Sequence, residues 1–215
     1  MTRITFAVGG FASGVGKTTL MCELLSAFPG WEAIKTTRGH YRSCGKDPHA
    51  CCVSDLLSEE PTVRSGYEST FSAGKDTGRY WEAGAKNVHW LIGTDDQVED
   101  GITQALSRVQ AEGVFIEGNS FTEFINPDFF VMVVRSDQLK IKPTARRALR
   151  LASAIYVSTD DAVRSPRLPP VMADLAANTP LFSAAEFPDL VDFLKTKKIG
   201  CSVIKERTRS RVFTS

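Results

Sequence analysis

A mostly parallel β-sheet layered between helices on both faces is the fold class that this sequence predicts, and three observations carry it. Short apolar runs alternate with amphipathic helical stretches along most of the chain, the order that builds parallel sheets. The runs Val114-Phe115-Ile116 and Phe129 to Arg135 are almost wholly apolar, as strands buried on both faces require. The third is Gly9-Gly10-Phe11-Ala12-Ser13-Gly14-Val15-Gly16-Lys17-Thr18-Thr19, which follows the apolar run Ile4 to Val8 and opens a helical pattern.

The elements follow in order. Thr19 to Phe28 reads as a helix with Leu20, Leu24 and Leu25 on one face, ended by Pro29-Gly30. Trp31 to Thr36 reads as a short strand. Arg38 to Gly74 shows no clean period and is expected to be a long functional insertion after that second strand, outside the scaffold. Asp76 to Ala85 then reads as a helix and Asn87 to Gly93 as a strand. Asp95 to Glu112 is predicted helical, because Val98, Ile102, Leu106 and Val109 share a face and acidic residues crowd its first turn. Thr144 to Ala152 reads as a helix and Ala154 to Val157 as a strand. Residues 164–180, rich in Pro, Arg and Ala, give no clear assignment. Ser183-Ala184-Ala185-Glu186 forms a capping box that opens a last helix with Phe187, Leu190, Val191 and Leu194 inward.

At 215 residues the chain suits one α/β domain and is short for two, so residues 1–197 are read as one nucleotide-binding domain, with residues 38–74 its insertion and residues 198–215 a basic tail. A solvated, partly disordered end is the expectation for that tail. Net charge of +1 gives no overall electrostatic case for nucleic acid or an anionic membrane. No apolar run reaches the ~18 residues that span a bilayer, and the chain starts on a strand with no room for a cleaved signal. Both point to the cytoplasm, where five cysteines are not expected to form structural disulfides.

A strand, a glycine-rich turn and a helix N-terminus together make a phosphate cradle: backbone N–H groups converge on one anion and the helix dipole favours negative charge. The cradle is read as Gly10 and Ala12 through Thr19, that is Ala12, Ser13, Gly14, Val15, Gly16, Lys17, Thr18 and Thr19. Lys17 would reach the β/γ-phosphates and the Thr18 hydroxyl would ligate Mg²⁺. Phe11 stands five before Gly16, where the usual motif has glycine, so the loop is one residue longer at its start. A second acidic group belongs near the metal, and Glu117, ending the apolar strand that begins at Val114, is the candidate. It would hold Mg²⁺ directly or through water, or orient the attacking water. A second charged constellation is Gly74-Lys75-Asp76-Thr77-Gly78-Arg79: Lys75 and Arg79 lie four apart on one helical face, and Asp76 would fix one of them or cap the first turn.

These residues bear a family likeness. The loop Gly14 to Leu20, the segment Ile34-Lys35-Thr36, the block Gly74 to Arg79 with Glu82-Ala83-Gly84-Ala85, and Ile116-Glu117-Gly118 resemble the molybdopterin-guanine dinucleotide biosynthesis B-type proteins. Thr179-Pro180-Leu181-Phe182 and Phe187 to Leu194 look like that family's last strand and helix. The resemblance implies a three-layer P-loop NTPase fold, of the dimeric class that includes metal-centre assembly GTPases. It implies a homodimer that hydrolyses GTP or ATP slowly and supports a partner enzyme. It also implies that Lys35, Lys75, Asp76 and Arg79 serve the nucleotide site. Thr37-Arg38-Gly39-His40-Tyr41 stands where the family has adjacent histidines, and no Asn-Lys-x-Asp occurs. Asp161, in Ser158-Thr159-Asp160-Asp161, is the nearest candidate to accept from guanine N1 and N2, and the choice between GTP and ATP stays open.

His40 to Cys52 packs in three of the five cysteines and two of the three histidines. Cys44, His49, Cys51 and Cys52 are the soft and imidazole ligands that Zn²⁺ or an iron–sulfur cluster selects. The spacing Cys-x₆-Cys-Cys matches no standard finger, so a redox thiol and plain packing stand beside that reading. Three function classes fit the whole: an NTPase accessory to molybdenum-cofactor or metal-centre assembly, a small-molecule kinase whose lid would use Arg146, Arg147, Arg150, Arg164 and Arg167, and a nucleotide-gated binding module with incidental hydrolysis.

Overall fold

A computed structural model describes residues 3–39, 53–137, 141–159 and 178–212, the last eleven of these by their backbone alone. Eight strands form one sheet: β1 (Ile4–Gly10), β2 (Glu32–Arg38), β3 (Thr62–Ser65), β4 (Val88–Gly93), β5 (Gly113–Glu117), β6 (Phe129–Val134), β7 (Ala154–Val157) and β8 (Leu181–Ser183). Their spatial order is β3-β4-β2-β5-β1-β6-β7-β8, parallel throughout except for the edge strand β3. The three-layer α/β reading therefore holds. β1 is central, with Val8 opposite Glu117 of β5 and Gly10 opposite Val133 of β6. The chain switches direction across the sheet at β1, and the crevice above such a switch point is where open α/β sheets bind ligands.

The two-residue period of β1 builds both cores. Ile4, Phe6 and Val8 face a layer containing α1 (Lys17–Ala27) and Leu190 and Leu194 of the last helix. Ala7 faces the opposite layer, where Val98, Ile102 and Ala105 of α4 (Val98–Arg108) and Ala145 and Ala148 of α5 (Pro143–Ala148) pack. An aromatic cluster of Phe6, Phe28, Trp31, Phe115 and Phe129 fills the first layer, with centroids 4.8–6.3 Å apart.

Two expectations change. Residues 38–74 do not all stand outside the scaffold: Thr62–Ser65 pairs antiparallel with β4, and Tyr67–Thr70 forms the short helix α2. The strand has four residues and its core residue is Val63, too little for a readable period. The basic end is also helical, because the capping box at Ser183 and Glu186 leads into α6 (Phe187–Val212), whose backbone continues to Val212. The expected helix from Asp95 divides into a 3₁₀ turn capped by Thr94 and then α4. Asp76–Glu82 forms α3. Among the described residues no helix is long and apolar enough to cross a membrane.

At the amino end of the sheet, opposite the glycine loop, His89 is fully buried between Glu32 (2.7 Å) and Ser65 (2.8 Å). The other Glu32 carboxylate oxygen accepts the N–H groups of Gln110 and Ala111. This satisfied polar cluster ties β2, β3 and β4 to the turn before β5.

Candidate functional site

The loop after β1 has the backbone of an anion cradle. Gly14 and Gly16 take φ of +70° and +90°, a region that residues with a Cβ seldom enter. Gly16 is the N-cap of α1, and the first turn of that helix carries no acidic side chain, so its amides and dipole are open to an anion. Gly9 and Gly10 serve a different purpose. A Cβ on Gly10 would lie 2.6 Å from Cδ of Lys17, so glycine there lets the lysine fold back across the loop. A Cβ on Gly9 would collide with Phe130 and Asn119. Phe11, the added residue, is fully buried beneath the loop, and its N–H donates to Val133 O (2.9 Å). The long start of the loop thus anchors it into the core.

Neighbouring strand ends hold the loop in place. Asn119, two residues beyond β5, pairs with Gly10 twice: its Oδ1 accepts the Gly10 N–H (2.9 Å) and its Nδ2 donates to Gly10 O (2.8 Å). Ser158 Oγ donates to Val15 O (2.6 Å), and the Lys142 N–H donates to Phe11 O (3.1 Å). Asn119→Ala should destabilise the protein by about 1–3 kcal/mol, since it orphans two backbone groups, and should loosen nucleotide binding. Urea unfolding of both proteins checks the first effect and calorimetry the second.

Lys17 extends over this loop largely buried, and it makes no hydrogen bond or ion pair among the described residues. Burial pushes its pKa below the usual lysine value; Lys35 and Lys142 add to that, and the pull of Glu117 opposes it. Such an ammonium gains from a multivalent anion.

Behind the loop lies a buried charge cluster. Glu117 is 2% exposed, and both carboxylate oxygens are engaged. Oε1 accepts from Lys35 Nζ (2.6 Å), while Oε2 accepts from Thr18 Oγ1 (3.1 Å) and from the Tyr80 hydroxyl. Lys35 also meets Asp76 at 2.6 Å. Burial works against the Lys35 charge, yet Glu117 and Asp76 outweigh it and hold its pKa above the ordinary value. Burial and the adjacent Glu117 charge keep Tyr80 protonated well above the usual tyrosine range. For Asp76 burial favours the neutral acid, but Lys35 prevails and holds the carboxyl below its usual range.

That shift has a pH consequence. A carboxyl whose folded pKa is depressed adds stability above its unfolded pKa and loses it as pH falls through the folded one. Asp76→Asn should therefore flatten the acid limb of a stability–pH curve below the ordinary carboxylate range, and thermal melts across that range test it. The effect is modest, because the Asp76 side chain is 42% exposed.

The expected residues separate into groups. Gly10, Gly14, Gly16, Lys17, Thr18, Lys35, Asp76 and Glu117 meet at the carboxyl ends of β1, β2 and β5, with Ala12, Ser13, Val15 and Thr19 completing the loop. Asp76 fixes Lys35, a strand residue, where pairing with its helix neighbours Lys75 or Arg79 was expected. Arg79 reaches Thr19 Oγ1 at 3.4 Å, and Lys75 is exposed at the start of α3. Cys44, His49, Cys51, Cys52, Asp161, Arg164 and Arg167 lie outside the described residues. Among the described residues no three His, Cys, Asp or Glu side chains gather as a metal cage. The oxygen donors Thr18, Glu117 and Asp76 still suit Mg²⁺, which is bound by one or two carboxylates together with phosphates.

Tyr80, Asn119, Lys142 and Ser158 belong to the site and carried little signal. Asn119, two residues past the expected Glu117, was the most discoverable: a polar side chain just after Gly118 at a buried strand end.

No family model matches this chain, and no curated protein matches it. Solved structures do. LpxK from Aquifex aeolicus, determined with ATP, aligns with a TM-score of 0.50 at 18% identity over 85% of this chain. This chain spans 54% of that one, about half its length. HypB from Helicobacter pylori, determined with nickel, aligns with a TM-score of 0.53 at 17% identity, covering 92% of this chain and 88% of the other. At such identities the likeness is one of fold alone, the layered α/β sheet described above.

Proposed function

We propose that this protein binds Mg²⁺ with GTP or ATP, hydrolyses the triphosphate slowly, and serves as an accessory factor in molybdenum-cofactor or other metal-centre assembly. The observation that carries the nucleotide reading is Lys17, a desolvated ammonium poised over a loop with left-handed glycines and a helix start that, among the described residues, has no acidic side chain in its first turn. Gly14, Gly16 and the first turn of α1 cradle the phosphates, and Lys17 takes up their charge. The Thr18 hydroxyl donates a hydrogen bond to Glu117, which leaves its oxygen lone pairs for the cation. Lys35 and Tyr80 hold Glu117 in place, so the hydroxyl's orientation is preset. Magnesium, when bound, neutralises charge that develops on the phosphoryl oxygens.

The assembly role rests on the sequence resemblance to molybdopterin-guanine dinucleotide biosynthesis B-type proteins, and a structural neighbour of the same architecture that was determined with nickel is in keeping with it. In this reading the protein is a cytoplasmic homodimer acting on a partner enzyme, and Cys44, His49, Cys51 and Cys52 hold zinc or an iron–sulfur cluster. Metal analysis of anaerobically purified protein tests that ligand set; no metal in any nucleotide state removes it.

Titration calorimetry with Mg²⁺ and each purine triphosphate tests the central claim, and an absence of heat with both ends it. Glu117→Gln should keep nucleotide affinity within a few-fold while slowing release of inorganic phosphate by about 10²-fold. Equal turnover would reduce Glu117 to a structural anchor. A small-molecule kinase is the second reading, and one observation favours it: an open cavity at the carboxyl end of the same sheet, with Arg147 in its wall.

A further inference from the structure

That cavity has a volume of about 400 Å³, within the ~300–1,000 Å³ range of small-molecule sites. It lies at the carboxyl ends of β2, β4 and β5, on the α4/α5 side of the sheet. None of the phosphate-loop residues lines it. Its charged groups come from four separate elements. Arg38 ends β2 and meets Asp95, which follows β4, at 2.6 Å. Arg147 of α5 meets Glu123, in the turn after β5, at 2.6 Å. Asp96 adds a third carboxylate, and Val98 and Phe124 supply an apolar surface, with Phe124 41% exposed.

From this lining we infer a binding site for a small zwitterion with an apolar body, an amino-acid-like molecule. Both signs of charge are present in the walls, so a lone anion would face three carboxylates and a lone cation two guanidiniums. A zwitterion satisfies both: its carboxylate receives the forked donors of Arg38 or Arg147, and its ammonium is accepted by Asp96 with Asp95 or Glu123. Its apolar portion covers Phe124, which removes apolar surface from water. The two ion pairs that line the cavity are partly exposed, and pairs of that kind contribute roughly 0–1 kcal/mol, so exchanging them for ligand contacts costs little.

The same loop serves both sites. Asn119 clamps Gly10 of the phosphate loop, and Ser120, Glu123 and Phe124 follow it directly into the cavity wall. The cavity is thus placed beside the phosphate loop without sharing residues with it, and the inference does not depend on the nucleotide reading.

The test uses the full chain without nucleotide and three probes of one shape: phenylalanine, phenylpropionate and phenethylamine, followed by amide NMR or calorimetry. Phenylalanine should bind, and each half-charged analogue should bind about tenfold more weakly or less. Arg147→Met and Asp96→Asn, both exposed substitutions that the fold tolerates, should each weaken phenylalanine about tenfold, and Lys17→Met should leave it unchanged. Phenylpropionate binding as tightly as phenylalanine would make this an anion site and overturn the inference. So would equal binding by phenethylamine, no binding of any probe, or affinity indifferent to Arg147→Met and Asp96→Asn. Nucleotide binding is measured separately, so its loss or retention has no bearing on that result.

Discussion

Lys17→Met is expected to abolish detectable triphosphate binding and to lower hydrolysis by about 10²–10³-fold, while the free protein stays as stable as before or becomes more so. The two halves follow from one fact. The fold holds the Lys17 ammonium in a largely desolvated position, with its pKa lowered first by burial and then by Lys35 and Lys142. A charge that the surrounding fold disfavours gains most from an anion placed beside it. Methionine keeps the aliphatic volume packed near Gly10 and removes only the charge.

The pH dependence separates this from a general packing defect. When the folded pKa of a lysine lies below its unfolded value, the unfolded chain binds more protons between the two, and stability rises with pH across that window. Triphosphate affinity should fall over the same window as Lys17 loses its charge. Lys17→Met should lack both trends, and melts and calorimetry on the alkaline side of neutrality read them. A variant that binds nucleotide normally would remove Lys17 from the site.

Lys35→Met should cost about 3–5 kcal/mol of folding stability, the largest loss expected from any single change at the site. Glu117 would remain in the interior beside Tyr80 without its cation, and Asp76 would lose its partner. The loss comes from leaving that interior carboxylate without its partner. Adding Glu117→Gln should recover part of it, and a double-mutant cycle by urea unfolding measures the coupling. Additive single losses would show that Lys35 and Glu117 do not depend on each other.

Much of the architecture was legible because its signals are local. The glycines and lysine of residues 9–19, the apolar runs of β5 and β6, and the capping box at Ser183 each lie within a few neighbours along the chain. Their periods and turn chemistry do not need distant partners. The segment around β3 was not legible, since its place in the sheet comes from pairing with β4 some 24 residues later, as in Ser65 opposite His89. The helical continuation to Val212 was likewise hidden, because the charged composition of that end resembles a solvated tail.

The candidate site divides along the same line. Lys17, Thr18 and Glu117 stood out from residue type at a strand or helix end. Asp76, expected to serve its own helix, instead holds Lys35 from across the site. Asn119 and Tyr80 take their roles from contacts with residues 109 and 37 positions away.

By itself, then, the amino-acid order determined a layered α/β chain with a glycine-rich loop leading into a helix start, because glycine conformation, helix polarity and apolar periodicity act over a few residues. Only the tertiary structure decided which charges meet. Parallel strands bring β1, β2 and β5 to a common end, and burial there strengthens the pairing of Glu117 with Lys35 and Tyr80, while Asp76 joins Lys35 from the exposed side.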